Sequence, residues 1–256
     1  MRRLAGGSRA VVRRANHAPS QSRGIAGEPA TPRGQRVVIV GATGMVGGNV
    51  LRYALENSAI GCVTAVARTK LGLSHPKLKE VLHSDFADCT ALAEALSAQD
   101  AVVFCLGTYT GVVTDAQLRT ITVSYMVEFA RVLRRSSPNA AFLFLSGSCA
   151  DPTDQSRLSF TPYRGEAENA LFAAGFPRVY VFRPTYIHPV KPRREPNLSY
   201  QLRRGIYPAF RLVFPNQVIR ADDLARVMVD CAVRGAGRVP GRPHLRSRAI
   251  RAVSEN

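Results

Sequence analysis

Apolar and polar positions alternate in two registers along the chain, and the switches between them mark out its elements. Val37-Val38-Ile39-Val40 is a short β-branched run, the signature of a buried strand. Beyond Met45 the apolar positions Val46, Val50, Leu51 and Leu55 recur at helical spacing. The same reading predicts strands over 62–68, 79–86, 101–107, 141–147 and 178–184. Helices are predicted over 89–99, about 114–136 and 163–175. Such regular alternation predicts an α/β fold, a doubly wound parallel sheet with helices on both faces. Residues 185–233 are expected to form a small C-terminal cap. It would contain a Pro/Arg-rich loop, a helix near 198–213, and a last helix with Asp222 or Asp223 near its start.

The first switch carries candidate chemistry. Gly41, Gly44 and Gly47 lie three apart on the turn from strand to helix. Gly41 would permit a tight turn, Gly44 a close approach of phosphate to backbone, and Gly47 close packing of helix on strand. Free N–H groups and the dipole at the helix start favour an anion such as a pyrophosphate. Gly41, Thr43, Gly44, Met45, Val46 and Gly47 are therefore candidate contacts to a dinucleotide, in a Rossmann domain spanning 36–234. A turn with no ligand is the alternative.

The cofactor expected is NADP, with NAD as the alternative. An NAD site places an acid about 20 residues after the glycines to bond the ribose 2′-hydroxyl. Residues 62–70 hold no acid, but Arg68 and Lys70 instead. A guanidinium suits a 2′-phosphate because it binds it bidentately.

Charge changes the picture at the two ends. The net charge is +17. Residues 1–36 hold eight Arg and one acid, residues 234–256 six Arg and one acid. The stretch between has 21 basic and 16 acidic residues, so the body is only mildly basic. Residues 1–35 have the composition of a mitochondrial transit peptide, with a disordered arm and a cytoplasmic location as the alternative. Residues 235–256 read as a basic tail. No basic stripe alternates with aromatics, so nucleic acid is not an expected partner. No apolar run approaches the ~20 residues a membrane span needs. The five cysteines are odd in number, spread out and without CxxC. With five isolated histidines they imply neither a disulfide framework nor a metal site.

Together GATGMVGG (41–48), SDF (84–86), FCLGT (104–108), FLSGSCAD (144–151), RGEAE (164–168) and VFRPTYI (181–187) resemble the atypical short-chain dehydrogenase/reductases. Within them the chain looks most like the group of the Tat-interacting-protein oxidoreductase, which includes fungal mitochondrial outer-membrane relatives. The resemblance implies that Asp85 and Phe86 hold the adenine. It implies that Cys105, Leu106 and Gly107 line the nicotinamide ribose, and that Pro184 and Ile187 meet the carboxamide. On Asp85 a strand-end turn is the competing expectation.

The family's Tyr-x-x-x-Lys pair is where the pattern departs. Anchoring on RGEAE puts Arg164 at the Lys position and Phe160, which has no hydroxyl, at the Tyr position. Gly147 falls at the family's serine position, flanked by Ser146 and Ser148. Candidate catalytic residues are therefore Tyr163, Ser146 and Ser148, and Arg164 is expected to bind cofactor ribose or phosphate. Two readings stay open. One is a reductase of a small carbonyl or quinone, using Tyr163, or else Tyr109 or Tyr186, as proton donor. The other is a non-catalytic NADP(H)-sensing or scaffold protein that docks on a partner.

Overall fold

The computed structural model describes residues 33–108, 112–147, 160–189, 218–234 and 244–246. Its strands are β1 (Gln35–Val40), β2 (Ile60–Ala67), β3 (Leu78–Leu82), β4 (Ala101–Phe104), β5 (Ala141–Leu145), β6 (Arg178–Arg183), β7 (Tyr186–His188), β8 (Val218–Arg220) and β9 (His244–Arg246). Seven of them form one sheet in the order β3-β2-β1-β4-β5-β6-β9. All its neighbours run parallel. β7 and β8 pair with each other, also parallel, in a separate small sheet. The helices are α1 (Met45–Glu56), α2 (Asp115–Arg119), α3 (Tyr125–Ser136), α4 (Phe160–Ala173) and α5 (Ala221–Arg234).

Strand alternation sends successive side chains to opposite faces. On one face Val37, Ile39, Val63, Ala65, Val103 and Leu143 meet Val50 and Ala54 of α1 and Leu224 and Met228 of α5. On the other face Val38, Val40, Val66, Val102, Phe104 and Phe142 meet Met126, Phe129 and Leu133 of α3 and Leu171 of α4. A strand apolar at every position is thus explained, because both of its faces are covered. The fold is the doubly wound Rossmann-type sheet that the alternation predicted.

Several elements differ in detail. The helix expected over 89–99 is a 3-10 turn at Thr90–Leu92 followed by further turns. Leu92 and Leu96 are buried where the periodicity placed them. Regular helix is lost because long-range bonds take over the backbone: Ser137 Oγ donates to Leu96 O (2.7 Å) and accepts from the Gln99 N–H (2.8 Å). Ala98, at φ 54, then turns the chain into β4. β3 ends at Leu82, four residues earlier than predicted, because Asp85 starts a turn. The long helix over 114–136 is continuous but contains a π turn at Thr120–Ser124, packed on α4.

α5, read from sequence as part of the cap, lies in the main core against α1. Residues 235–256, read as a basic tail, contribute β9 to the sheet edge beside β6. Three residues carry too little periodicity to announce a strand. The Pro/Arg-rich loop and the helix expected near 198–213 lie outside the described residues.

The placement of α5 has a measurable consequence. Met228 is fully buried, so Met228→Ala should cost ~2–5 kcal/mol of stability, the usual range for truncating a core methionine. Denaturant unfolding checks this; a cost within error of zero would mean that α5 does not belong to the body.

Candidate functional site

In open α/β sheets ligands bind outside the carboxyl ends of the strands, at the point where strand order reverses. Here that point lies between β1 and β4. Gly41 follows β1 with φ 85, and a Cβ placed on it would lie 2.8 Å from the carbonyl carbon of Cys105, the residue after β4. A side chain is excluded there twice over, by backbone conformation and by space. Gly47 meets the same turn from the helix side. A Cβ there would lie 2.2 Å from the Gly41 carbonyl oxygen. The glycine jobs expected at 41 and 47 are thus steric facts.

Gly44 is the N-cap of α1, without any side-chain cap, and the first turn holds no acid. Its N–H bonds Gly41 O at 2.9 Å, while Thr43 and Gly44 are exposed. Val46 turns its side chain into the core. What remains facing outward is backbone N–H and the positive end of a helix of 12 residues. Such a bare cradle fits a pyrophosphate.

At the neighbouring strand ends, Arg68 follows directly on β2 and is exposed, as is Lys70. Asp85 adopts the turn that competed with adenine binding, since its Oδ1 accepts from the Ala87 N–H at 3.0 Å. Phe86 is buried, edge-on to His83 at 5.3 Å and tilted against Tyr125 at 6.1 Å. It can therefore offer a ligand only its backbone.

At the end of β4 the Cys105 N–H bonds Val40 O at 2.9 Å, and burial pushes the Cys105 thiol up to about 12. That thiol stays protonated at neutral pH and is no nucleophile. Leu106 packs on the core below α3, whereas Gly107 is exposed with open space where a Cβ would be. Pro184 is buried just after β6. Ile187 is half-buried in β7, in register with Ile219.

The end of β5 holds a network that periodicity did not reveal. Ser146 is 5% exposed, Glu168 1% and Arg183 9%. Ser146 Oγ donates to the Glu168 carboxylate. Arg183 Nε donates to its two oxygens at 3.1 and 3.0 Å, and Arg183 Nη2 donates as well. One carboxylate thereby fastens β5, β6 and α4 together. A buried pair of this kind is strongly destabilised, by ~3–5 kcal/mol, when one partner alone is removed. Ser146, expected as a catalytic candidate, has its proton committed to this bond. The signal in the sequence was a glutamate beside Ala167 on the apolar stripe of α4. Ser148 lies outside the described residues.

One turn before Glu168, Arg164 lays its side chain along Gly147, with Cζ 3.5 Å from where a Cβ would stand. The resemblance puts the family's serine at Gly147, and it is there that the Arg164 cation lies.

Tyr163 does not point into this arrangement. Its hydroxyl donates to the Asp115 carboxylate at the start of α2. A few residues on, Arg119 Nε meets Glu166 Oε2 at 3.1 Å. Asp115 and Glu166, unread at the sequence level, thus tie α2 to the first turns of α4. The bond to Asp115, with burial and that carboxylate's charge adding, raises the Tyr163 phenol above its ordinary value. An active-site phenol that exchanges protons near neutrality needs the opposite shift.

The sheet order, the glycine turn and the bare helix start define a dinucleotide-binding Rossmann domain. The chain belongs to the NAD(P)H-binding family, whose profile matches residues 41–234. Among curated relatives, the mitochondrial protein fmp52 of Aspergillus clavatus is 28% identical over 158 residues, covering 59% of this chain and 66% of that protein. The match thus spans just under two thirds of that relative's length. Two solved structures share the fold. A short chain dehydrogenase from Burkholderia cenocepacia in complex with NADP has a TM-score of 0.59 at 16% identity, covering 87% of this chain and 92% of its own. The Bordetella bronchiseptica enzyme WbmH in complex with NAD+ has a TM-score of 0.58 at 19% identity, covering 77% and 73%.

Two outcomes follow from the geometry. Gly47→Ala forces a methyl into the Gly41 carbonyl, so it should abolish dinucleotide binding measured by calorimetry and lower the melting temperature; unchanged binding would contradict the turn described. For Tyr163, the neutral phenol is favoured in the folded chain. The stability it contributes is present below the unfolded value of about 10 and fades as pH rises through the higher folded value. Phenolate absorbance, read as wild type minus Tyr163→Phe, should show this upward shift, and Asp115→Asn should reduce it.

Proposed function

We propose that this chain is an NADP(H)-binding protein that uses the bound dinucleotide to stabilise a surface for docking on a partner. The cofactor's pyrophosphate would rest on the N–H groups at the start of α1, with Gly41, Thr43, Gly44, Met45, Val46 and Gly47 around it. Arg68, with Lys70 beside it, would take the 2′-phosphate, for which a guanidinium is suited and against which a carboxylate would repel. Asp85 and the Phe86 backbone would border the adenine. Cys105, Leu106 and Gly107 would border the nicotinamide ribose through backbone, and Arg164 would reach that ribose from α4. Pro184 and Ile187 would stand at the carboxamide.

The observation that carries the non-catalytic reading is the commitment of two hydroxyls. Tyr163 donates to Asp115, and Ser146 donates to Glu168. When bound, the nicotinamide supplies a hydride, but neither hydroxyl is free to supply the matching proton. A ligand held only by the native state stabilises it by ~2.7 kcal/mol at one hundred times its Kd, so binding has a use without turnover.

The second reading is reduction of a reactive small carbonyl or quinone. Arg164 beside Gly147 favours it, because a cation at the end of β5 can stabilise developing oxyanion charge. Location is proposed as mitochondrial, on the Arg-rich composition of residues 1–35 and on the name of the fmp52 relative.

Calorimetry tests the binding reading. NADPH should bind at least about tenfold more tightly than NADH, the worth of one charge-assisted contact. Arg68→Asp should reverse that order. Equal affinities would remove the 2′-phosphate assignment. NADPH consumption with a quinone should stay at background; turnover that Tyr163→Phe abolishes would install the reductase reading instead.

A further inference from the structure

The cations at the end of β2 stand on a very short span of chain between two fixed points. At one end, the Ala67 carbonyl accepts from the His83 N–H at 2.9 Å, which holds the last residue of β2 against the end of β3. At the other, the Leu71 N–H donates to Glu80 Oε1 at 2.5 Å. Only Arg68, Thr69 and Lys70 lie between, and all three are exposed. The loop is fastened again further on, where the Lys77 N–H bonds His75 Nδ1 at 3.2 Å and Lys77 Nζ bonds Asn57 O at 2.8 Å.

Glu80 is unusual among these anchors because it reaches from the strand below. It is in register with Ala65, and Ala65 faces the core shared with α1. Leu71 packs on that same core. The span carrying Arg68 and Lys70 is therefore drawn toward the α1 side of the sheet, the side of the helix that the glycine turn begins. Two cations on an untied loop would lose backbone freedom on meeting a doubly charged phosphate, and that loss would weaken binding. Tied at both ends, they have little left to lose.

We propose that Glu80 is a positioning residue for dinucleotide choice, which by holding the Leu71 N–H presets Arg68 and Lys70 to receive the 2′-phosphate of NADPH. The inference rests on the assignment of Arg68 to that phosphate. It gives Glu80 a task that its charge alone opposes, since a carboxylate near a phosphate repels it. What matters is the acceptor oxygen and its reach.

That distinction sets the test, with calorimetry of the full chain against NADPH and NADH. Glu80→Ala removes the acceptor, and Glu80→Asp keeps the charge but withdraws the oxygen by one methylene. Both should lower the NADPH-to-NADH preference about tenfold, roughly the cost of ordering one residue's backbone again. Affinity for NADH should stay within about twofold, because the rest of the cradle is untouched. Glu80→Gln keeps an acceptor of the same length and should keep the preference. A merely structural glutamate would weaken both dinucleotides together, and that result overturns the proposal. So does a preference that survives both Glu80→Ala and Glu80→Asp while Arg68→Asp abolishes it. If Glu80→Ala does not fold, the Asp and Gln pair alone decides, by loss in one and retention in the other. A wild-type chain with no preference for NADPH removes the Arg68 assignment and this inference with it.

Discussion

The carboxylate of Glu168 accepts hydrogens from Arg183 and from Ser146 in a place that water scarcely reaches. Most of the reactive side of the molecule depends on that contact. Arg183 is the last residue of β6, Ser146 the first beyond β5, and Glu168 stands in the middle of α4. Their union fixes how α4 crosses the strand ends. It thereby sets where Arg164, one turn earlier, can reach. A buried ion pair adds little net stability over an apolar replacement of the same shape. Its value here is geometric, since only one mutual placement of strand and helix satisfies all the donors.

The same contact limits the chemistry. A serine whose proton is held by a buried carboxylate cannot also donate it to a substrate oxygen. Tyr163 meets a similar limit from another direction, because Asp115, at the start of α2, takes its hydroxyl. Two separate carboxylates, on α4 and α2, hold two of the candidate hydroxyls, those of Ser146 and Tyr163, while Ser148 and Tyr109 lie outside the described residues. Among the described residues, the cradle at the start of α1 has no such internal competitor. Gly44 brings no side-chain cap, and no acid sits in the first turn. The binding half and the proton-transfer half of the site are thus built to different standards of availability.

How much of this was legible in the sequence follows from range. The strands and the glycine turn were readable because their cause is local: β-branched runs buried on two faces, and glycines at positions where a Cβ collides with backbone. Arg68 was readable as a candidate because it stands at a fixed offset from those glycines, exposed directly after β2. Glu168, Arg183, Asp115 and Glu80 were not given roles, since each acts on a partner brought near only by the fold. The turns at 90–98 show the converse. Leu92 and Leu96 point inward as their spacing promised, yet Ser137, from the far end of α3, claims the backbone bonds that a regular helix would need. α5 was read as part of the cap, and not of the main core, for the same reason. Its apolar stripe is plain, but a stripe does not say which surface will cover it, and α1 does.

Those differences in range bear on which part of the site can change. The glycine turn leaves no room for a methyl, since an added Cβ would stand 2.2 Å from backbone at Gly47 and 2.8 Å at Gly41, so substitution there disturbs fold and binding together. A phenol hydroxyl is not held by steric exclusion of this kind. Replacing it removes a proton donor and leaves the sheet, the turn and the core intact. Loss of turnover with retained dinucleotide binding is therefore the cheapest functional change open to this architecture. Phe160 and Arg164 stand where the resemblance calls for Tyr and Lys, the positions at which such a change disturbs the glycine turn and the sheet least.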